Sequence, residues 1–419
     1  MPYLVVIGAG ASGYFCAVNA ARLCPGLKVT LLEKTGKTLS KVKVSGGGRC
    51  NVTHRDLPIA AFTGNYPRGA RLLKRTLHQF GPVDTVDWFE KRGVPLKTEA
   101  DGRVFPVSNQ SSSIIDALEK EADAYGVNIR LHQNVLSLNH LAAQEEKQGR
   151  WQIELAGESE TLSADYICVA AGGLMKAENY QYLTKLGHSI TRPVPSLFTF
   201  NLGKHPITEL MGVSVDNATI RIAGSKLKQS GPLLITHWGF SGPAVLKLSA
   251  WGAEWLAENN YQFSVLINWL GEAWPEQQLR DSWQAIRERH AARPMGEKNP
   301  FGLPKRLWAY LLNAAGIQEN LYWSKLPAGA QNKLIQHLVA DTYMISGKTT
   351  FKEEFVTCGG INLAEMDPLT MESRLHRGLY FTGEVMNVDG ITGGFNFQHA
   401  WASGFAAASH IANMATETN

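Results

Sequence analysis

The 419-residue chain has few cysteines, no long apolar run and no strong excess of charge of either sign. Its five cysteines, Cys16, Cys24, Cys50, Cys168 and Cys358, are odd in number and include no C-x-x-C. That pattern argues against a disulfide framework and against dithiol-using disulfide reductases, and it suits a reducing compartment. No apolar stretch approaches the roughly 20 residues needed to cross a bilayer. The leading MPYLVVIGAG lacks the basic start of a secretory signal, since the first basic residue is Arg22. A cytoplasmic protein with no membrane segment is expected. There is no internal repeat, no low-complexity tract and no residue spacing that calls for a metal. The net charge of +4 permits an anionic partner without requiring one. What is present is ordinary globular composition, 44% hydrophobic and 19% charged, over a length that suits two or three domains.

The first fifty residues are the most informative. YLVVI (Tyr3 to Ile7) reads as a strand buried on both faces, as parallel strands are. Gly8, Gly10 and Gly13 then form G-x-G-x-x-G at the start of a helix. In that pattern Gly8 makes the turn, Gly10 admits a pyrophosphate and Gly13 lets helix and strand pack closely. The helix N-terminus, at Ala11 and Ser12, offers N–H groups and a positive dipole end to the phosphates. A second strand, KVTLLE, ends in Glu33, where an acid binds a ribose 2′-hydroxyl and repels a 2′-phosphate. Lys34 follows it. Strand, glycine turn, helix and acid together define a site for FAD or NAD rather than NADP.

Later segments decide between the two, because flavoproteins of this fold return to the cofactor from distant parts of the chain. VNIRLHQNVLSLNH (127–140) has a strand pattern in which the Val135 backbone can lie against an adenine. ADYICVAAGG (164–173) is a buried strand running into Ala171 and Gly172. GLYFTGEVMNVDGITGGFNFQHAWASGFAAA (378–408) gives a strand, an acidic turn with Gly383, Glu384 and Asp389, the pair Gly393-Gly394, and a helix that begins near Phe395 and Asn396. Its apolar residues recur at helical spacing. Its N-terminus would place positive potential where a reduced flavin carries negative charge.

With these residues in view, the chain resembles the BaiN/RdsA family of bacterial NAD(P)/FAD-dependent oxidoreductases, the YhiN-like flavoproteins. The resemblance rests on SGGGRCNVT (45–53), THWGFSGPAVLKLS (236–249), TCGGINLAEMDP (357–368) and LYFTGEVMNVDGITGGFNFQHAWASG, in the family's order and across nearly the whole chain. It implies bound FAD, with Glu384 near the ribityl–pyrophosphate in place of the usual Asp. It also implies that the loop Ser45, Gly46, Gly47, Gly48, Arg49, Cys50, Asn51 runs along the isoalloxazine. The chain departs from the family after its third segment: Ala171 replaces a threonine, and a Gly-rich Thr-Gly-Asp-Gly loop is absent.

The three glycines suit close approach of bare backbone to a flat ring. Lys41, just upstream, adds positive charge near phosphate or flavin. For Cys50 three readings stand: a proton donor beside the flavin, a thiol that forms a flavin adduct, or a small buried residue. Arg49 is a candidate anchor for an anionic substrate or for the flavin. No second G-x-G-x-x-G follows a strand, so NADH or NADPH enters only as a transient reductant.

Residues 191–344 interrupt the cofactor domain, which comprises 1–190 and 345–419. The stretch 191–273 alternates like strands and 274–344 reads as a helical cap. Ser241, before Gly242-Pro243, is expected to cap a helix. Two basic stretches could meet a polyanion. Arg71, Lys74, Arg75 and His78 share one helix face opposite Leu73, Leu77 and Phe80. Between 280 and 306 lie Arg280, Arg287, Arg289, Arg293, Lys298, Lys305 and Arg306. Most such stretches are simply solvated helix faces, and with no fold-level RNA motif in the sequence that is the favoured reading of both.

The expected fold is a doubly wound α/β Rossmann-type FAD domain interrupted by an α+β insert. The resemblance implies a reductase that moves hydride from flavin N5 to an activated C=C bond. Its candidate substrates are uridine in ribosomal RNA, giving dihydrouridine, and a small conjugated enone. The alternative is an FAD-dependent amine or aminoketone oxidase using oxygen. The oligomeric state is not legible in the sequence.

Overall fold

The computed structural model describes residues 1–141, 151–159, 161–349 and 356–417. The chain divides into two units, Met1–Pro195 with Lys352–Asn419, and Ser196–Phe351.

The first unit is built on a five-stranded parallel sheet. Its strands are β1 (Tyr3–Ile7), β2 (Lys28–Leu32), β3 (Asn128–Arg130), β4 (Tyr166–Val169) and β5 (Leu379–Phe381), in the spatial order β5-β4-β1-β2-β3. Every neighbouring pair is parallel. Leu4, Val5 and Val6 have no exposed surface, which explains the unbroken apolar run: both faces of a central parallel strand are covered. Helix α1 (Ala11–Leu23) follows β1, and the long helix α3 (Phe395–Glu417) follows β5. The two cross at Gly404, where a Cβ would lie 2.8 Å from the Ser12 carbonyl oxygen. Between β2 and β3 the chain forms a short helix, α2 (Ala70–Thr76), and a small antiparallel sheet of Thr53–His54, Leu96–Thr98 and Arg103–Pro106.

The segment 127–140 is two strands rather than one. β3 joins the parallel sheet, whereas Val135–His140 pairs antiparallel with Trp151–Leu155 in a separate sheet. The break has a local cause. His132 takes a left-handed conformation (φ 57°), and the N–H groups of His132 and Gln133 turn back to the carbonyls of Thr35 and Glu33.

The second unit contains a closed six-stranded barrel, in the order Thr199–Leu202, Gly239–Ser241, Lys228–Thr236, Ser214–Ile222, Phe263–Asn268 and Asp341–Thr349. The last strand lies after the helices Glu276–Arg289, Lys305–Ala314 and Ala328–Val339. Barrel and helices share one hydrophobic cluster, which includes Phe240, Val265, Trp283, Trp308 and Leu338. The boundary expected at 344 therefore falls inside the strand that closes the barrel. Ser241 does not cap the next helix. It ends a strand, and Gly242 is the N-cap before Pro243. Gly242 is there because φ is 95° and a Cβ would sit 2.8 Å from the Pro232 carbonyl oxygen.

Candidate cofactor site

The site grows from the turn between β1 and α1. Gly8 (φ 108°) donates its N–H to Leu32 O at 2.7 Å, and a Cβ on it would lie 2.4 Å from Ala170 O. On Gly13 a Cβ would lie 1.9 Å from Gly8 O. Gly10 is different: a Cβ there meets nothing within 4 Å. Gly8 and Gly13 serve the fold, while Gly10 faces open space. Among the described residues no side chain caps α1, and its first intrahelical N–H bond runs from Tyr14 to Gly10 O. The N–H groups at Ala11, Ser12 and Gly13 belong to the unsatisfied first turn, which favours an anion.

Glu33 follows β2 directly, with its carboxylate fixed. One oxygen accepts from Ala9 N (3.1 Å), and the other accepts from the Thr35 N–H and hydroxyl (2.9 Å each). A carboxylate has about four lone-pair sites, so acceptor capacity remains. Gln133 N donates to Glu33 O at 2.8 Å, which brings half-buried Val135 alongside. Lys34 is exposed.

Three distant segments converge on this turn. Ala170 N donates to Ile7 O, so Ala171 and Gly172 (φ 72°) leave β4 beside Gly8. After β5, Gly383 (φ 69°) is pressed on Ser12, where a Cβ would meet the hydroxyl at 2.4 Å. Glu384 accepts from Thr357 N (2.8 Å) and pairs with Lys41 (2.6 Å). Gly173 must be glycine, since a Cβ would collide with Thr357 and Glu384.

The SGGGRCN loop has an unusual backbone. A helical turn beginning at Ser40 stops at Ser45, whose ψ of 148° breaks it. Gly46, Gly47 and Gly48 then hold φ values of 58°, 68° and 84°. Three successive left-handed residues need glycine, because any Cβ is penalised there. The glycines are thus required by conformation, and a Cβ on Gly47 or Gly48 would meet nothing within 4 Å. Leu39 N donates to Ala9 O, tying this segment to the glycine turn. Asn51 ties it to α3: with its amide oriented to suit its neighbours, it donates to Thr53 O and Val104 O and accepts from Gly394 N at 2.8 Å.

At the start of α3, a Cβ on Gly394 (φ 89°) would lie 2.4 Å from the Thr53 carbonyl. Gly393 has φ 128°. Tyr66 donates its hydroxyl to Phe395 O (2.7 Å), and Asn396 closes the turn through two bonds to Gly390 (2.8 and 2.9 Å).

Three sequence expectations need correction. Cys50 has no exposed surface, and burial pushes its thiol up to about 12 against a smaller opposing effect of Ser45. A proton donor or adduct-forming thiol needs access and a proton that leaves near neutrality. Cys50 has neither and packs instead, with φ 59°. Arg49 stacks on Phe105 at 4.0 Å and pairs with Glu99 at 2.7 Å, so it is already engaged as a structural cation. Asp389 is fully buried and clamped by both Nε and Nη2 of Arg68, so its charge is met inside the protein and it serves the fold.

Arg68 was missed because nothing in PRGAR distinguishes it from its basic neighbours. His399 was missed because it looks like one more residue of an amphipathic helix. It is buried on α3, its Nε2 lies 3.1 Å from Gly383 O, and its Nδ1 is buried with no partner among the described residues. Burial holds its imidazole down to about 4, against smaller upward pulls from the Gly383 carbonyl and Glu384. Native structures rarely leave such an atom unpaired. His54 also borders the site, its ring stacked on Phe395 with centroids 5.0 Å apart.

A nucleotide bearing a pyrophosphate fits these residues: a helix start with no side-chain cap among the described residues, open space at Gly10, a fixed carboxylate at Glu33 and, among the described residues, an unpartnered buried Nδ1 on His399. Fold and site together define an oxidoreductase of the Rossmann-type, dinucleotide-binding class. The HI0933-like protein Rossmann domain matches residues 2–410, and the chain belongs to that family of FAD-binding oxidoreductases. It is 30% identical over 410 residues to a 3-dehydro-bile acid delta(4,6)-reductase of Clostridium scindens, covering 96% of this chain and 97% of that one. It is also 30% identical over 416 residues to a ribosomal RNA dihydrouridine synthase of Escherichia coli, covering 97% of each. Among solved structures, a 3-ketosteroid delta1-dehydrogenase from Sterolibacterium denitrificans superposes with TM-score 0.53 at 13% identity, over 99% of this chain and 100% of that one. That likeness is one of fold.

Proposed function

We propose that the protein reduces a carbon–carbon double bond conjugated to a carbonyl, with FAD as hydride donor and uridine in ribosomal RNA as substrate. The observation that carries this reading is the near-complete match to two relatives named for reductions of one bond type. A 3-keto steroid unsaturated at positions 4 and 6 and a uracil ring both present a C=C bond polarised by a carbonyl. The RNA choice follows the relative named for ribosomal RNA.

Bound FAD supplies hydride from its reduced ring. The neighbouring carbon takes its proton from water, and the chain's own residues bind and orient the cofactor. The α1 N-terminus and Gly10 would hold the pyrophosphate, and Glu33 would take a ribose hydroxyl. Gly46 to Gly48 offer backbone without side chains to a flat ring. The N-terminus of α3 favours negative charge on that ring when it is reduced. NADH or NADPH is the proposed transient source of electrons.

The test is dihydrouridine content, by mass spectrometry, in ribosomal RNA from cells with and without the gene. Loss that re-expression restores supports the reading. An unchanged content moves the substrate to a small conjugated ketone.

A further inference from the structure

Helix α2 carries a charged face that the cofactor site does not use. Arg71, Lys74, Arg75 and His78 are all exposed, while Leu72, Leu73, Thr76 and Leu77 are buried beneath them. None of the four takes part in an ion pair among the described residues. No Asp or Glu occurs between Asp56 and Asp84. The segment packed against this helix, reached by Thr76 and Gln79 through Pro368 O and Leu369 O, contains Asp367. That carboxylate faces its own surroundings: Oδ1 accepts from Leu369 N and Thr370 N, and Oδ2 lies 3.9 Å from Arg374.

Helix stability does not account for this face. Lys74 and Arg75 in the last turn complement the helix dipole, but Arg71 sits in the first turn, where a cation is disfavoured. The face is also anchored to the site. Gly69, the N-cap of α2, is pressed on Val388, where a Cβ would meet a methyl carbon at 2.5 Å. The adjoining Arg68 grips Asp389, just ahead of the turn that starts α3.

We propose that the α2 face binds the phosphate backbone of the RNA whose uridine is reduced. This rests on the RNA reading above; a small ketone has no use for such a face. Arg71, Lys74 and Arg75 lie within α2, about 6 Å of helix at 1.5 Å per residue, and His78 extends the face in the turn that follows.

The test is the full-length, flavin-loaded protein carrying Arg71→Gln, Lys74→Gln and Arg75→Gln together. Its affinity for a ribosomal RNA transcript is measured across a salt series, beside its rate with a small conjugated ketone. Exposed glutamines leave the fold intact, and flavin content checks this. The expected result is at least a tenfold weaker Kd and a salt slope shallower by about 2 to 3, with ketone reduction unchanged. Equal affinity and slope would overturn the proposal, and so would a fall in ketone reduction matching the loss of RNA binding. If the unmodified protein binds anionic vesicles but no RNA, the RNA assignment fails, while ketone turnover still reports separately on the reductase reading.

Discussion

Removing the Arg68 side chain should expose how much the buried pair at the head of α3 contributes. Asp389 is 0% exposed and Arg68 12%, and both guanidinium contacts fall on the same carboxylate. Arg68→Met keeps the bulk but removes the cation that faces a fully buried carboxylate. Breaking a buried pair in this way costs about 3–5 kcal/mol, a large share of the roughly 5–15 kcal/mol that holds a domain together. Replacing both partners, Arg68→Met with Asp389→Leu, removes both desolvation costs and should recover most of that loss. The neighbouring contacts, Ile391 N to Asn65 O and Tyr66 to Phe395 O, should loosen in the single variant. Flavin release during urea unfolding reports on this unit directly. A single variant within about 1 kcal/mol of the parent, or a double variant no better than the single, would refute the reasoning.

The remaining expectations are shorter. Gly10→Val should fold but purify with little flavin, because its side chain enters open space, whereas Gly13→Ala should lose stability itself through its clash with Gly8 O; flavin absorbance and thermal unfolding separate the two. His399 titrates near 4 when folded and near 6.5 when unfolded, so its contribution is complete above pH 6.5 and falls as the pH drops towards 4. The loss should reach about 2 kcal/mol by pH 5, and His399→Gln should flatten urea stability between pH 7 and pH 5. All five cysteines are buried, so the native protein should resist thiol reagents at pH 8, and Cys50→Ala should keep its turnover.

The parts legible in the sequence are those written locally. An apolar run, a glycine turn, a helical period and an acid at the end of the next strand are set by neighbours in the chain, so β1, α1, β2 and α3 stand where their patterns put them. Partnerships across hundreds of residues were not legible. Arg68 and Asp389 are 321 residues apart, and Asn51 reaches Gly394 only once the sheet has formed. Side-chain direction was illegible for a related reason. Cys50 follows three left-handed glycines, and that backbone path turns its thiol into the core. Closure of the barrel by Asp341–Thr349 depends on pairing with Phe263–Asn268 and Thr199–Leu202 across three intervening helices.

The central claim is that reduced flavin on this protein gives its electrons to a conjugated C=C bond. The most direct measurement is anaerobic: purified protein is reduced, then mixed separately with ribosomal RNA, with an unsaturated steroid ketone and with oxygen, while flavin absorbance is followed. The expected result is that RNA or the ketone restores oxidised flavin faster than oxygen does, with one saturated product formed per flavin. Reoxidation by oxygen alone, together with flavin reduction by an amine, would contradict it.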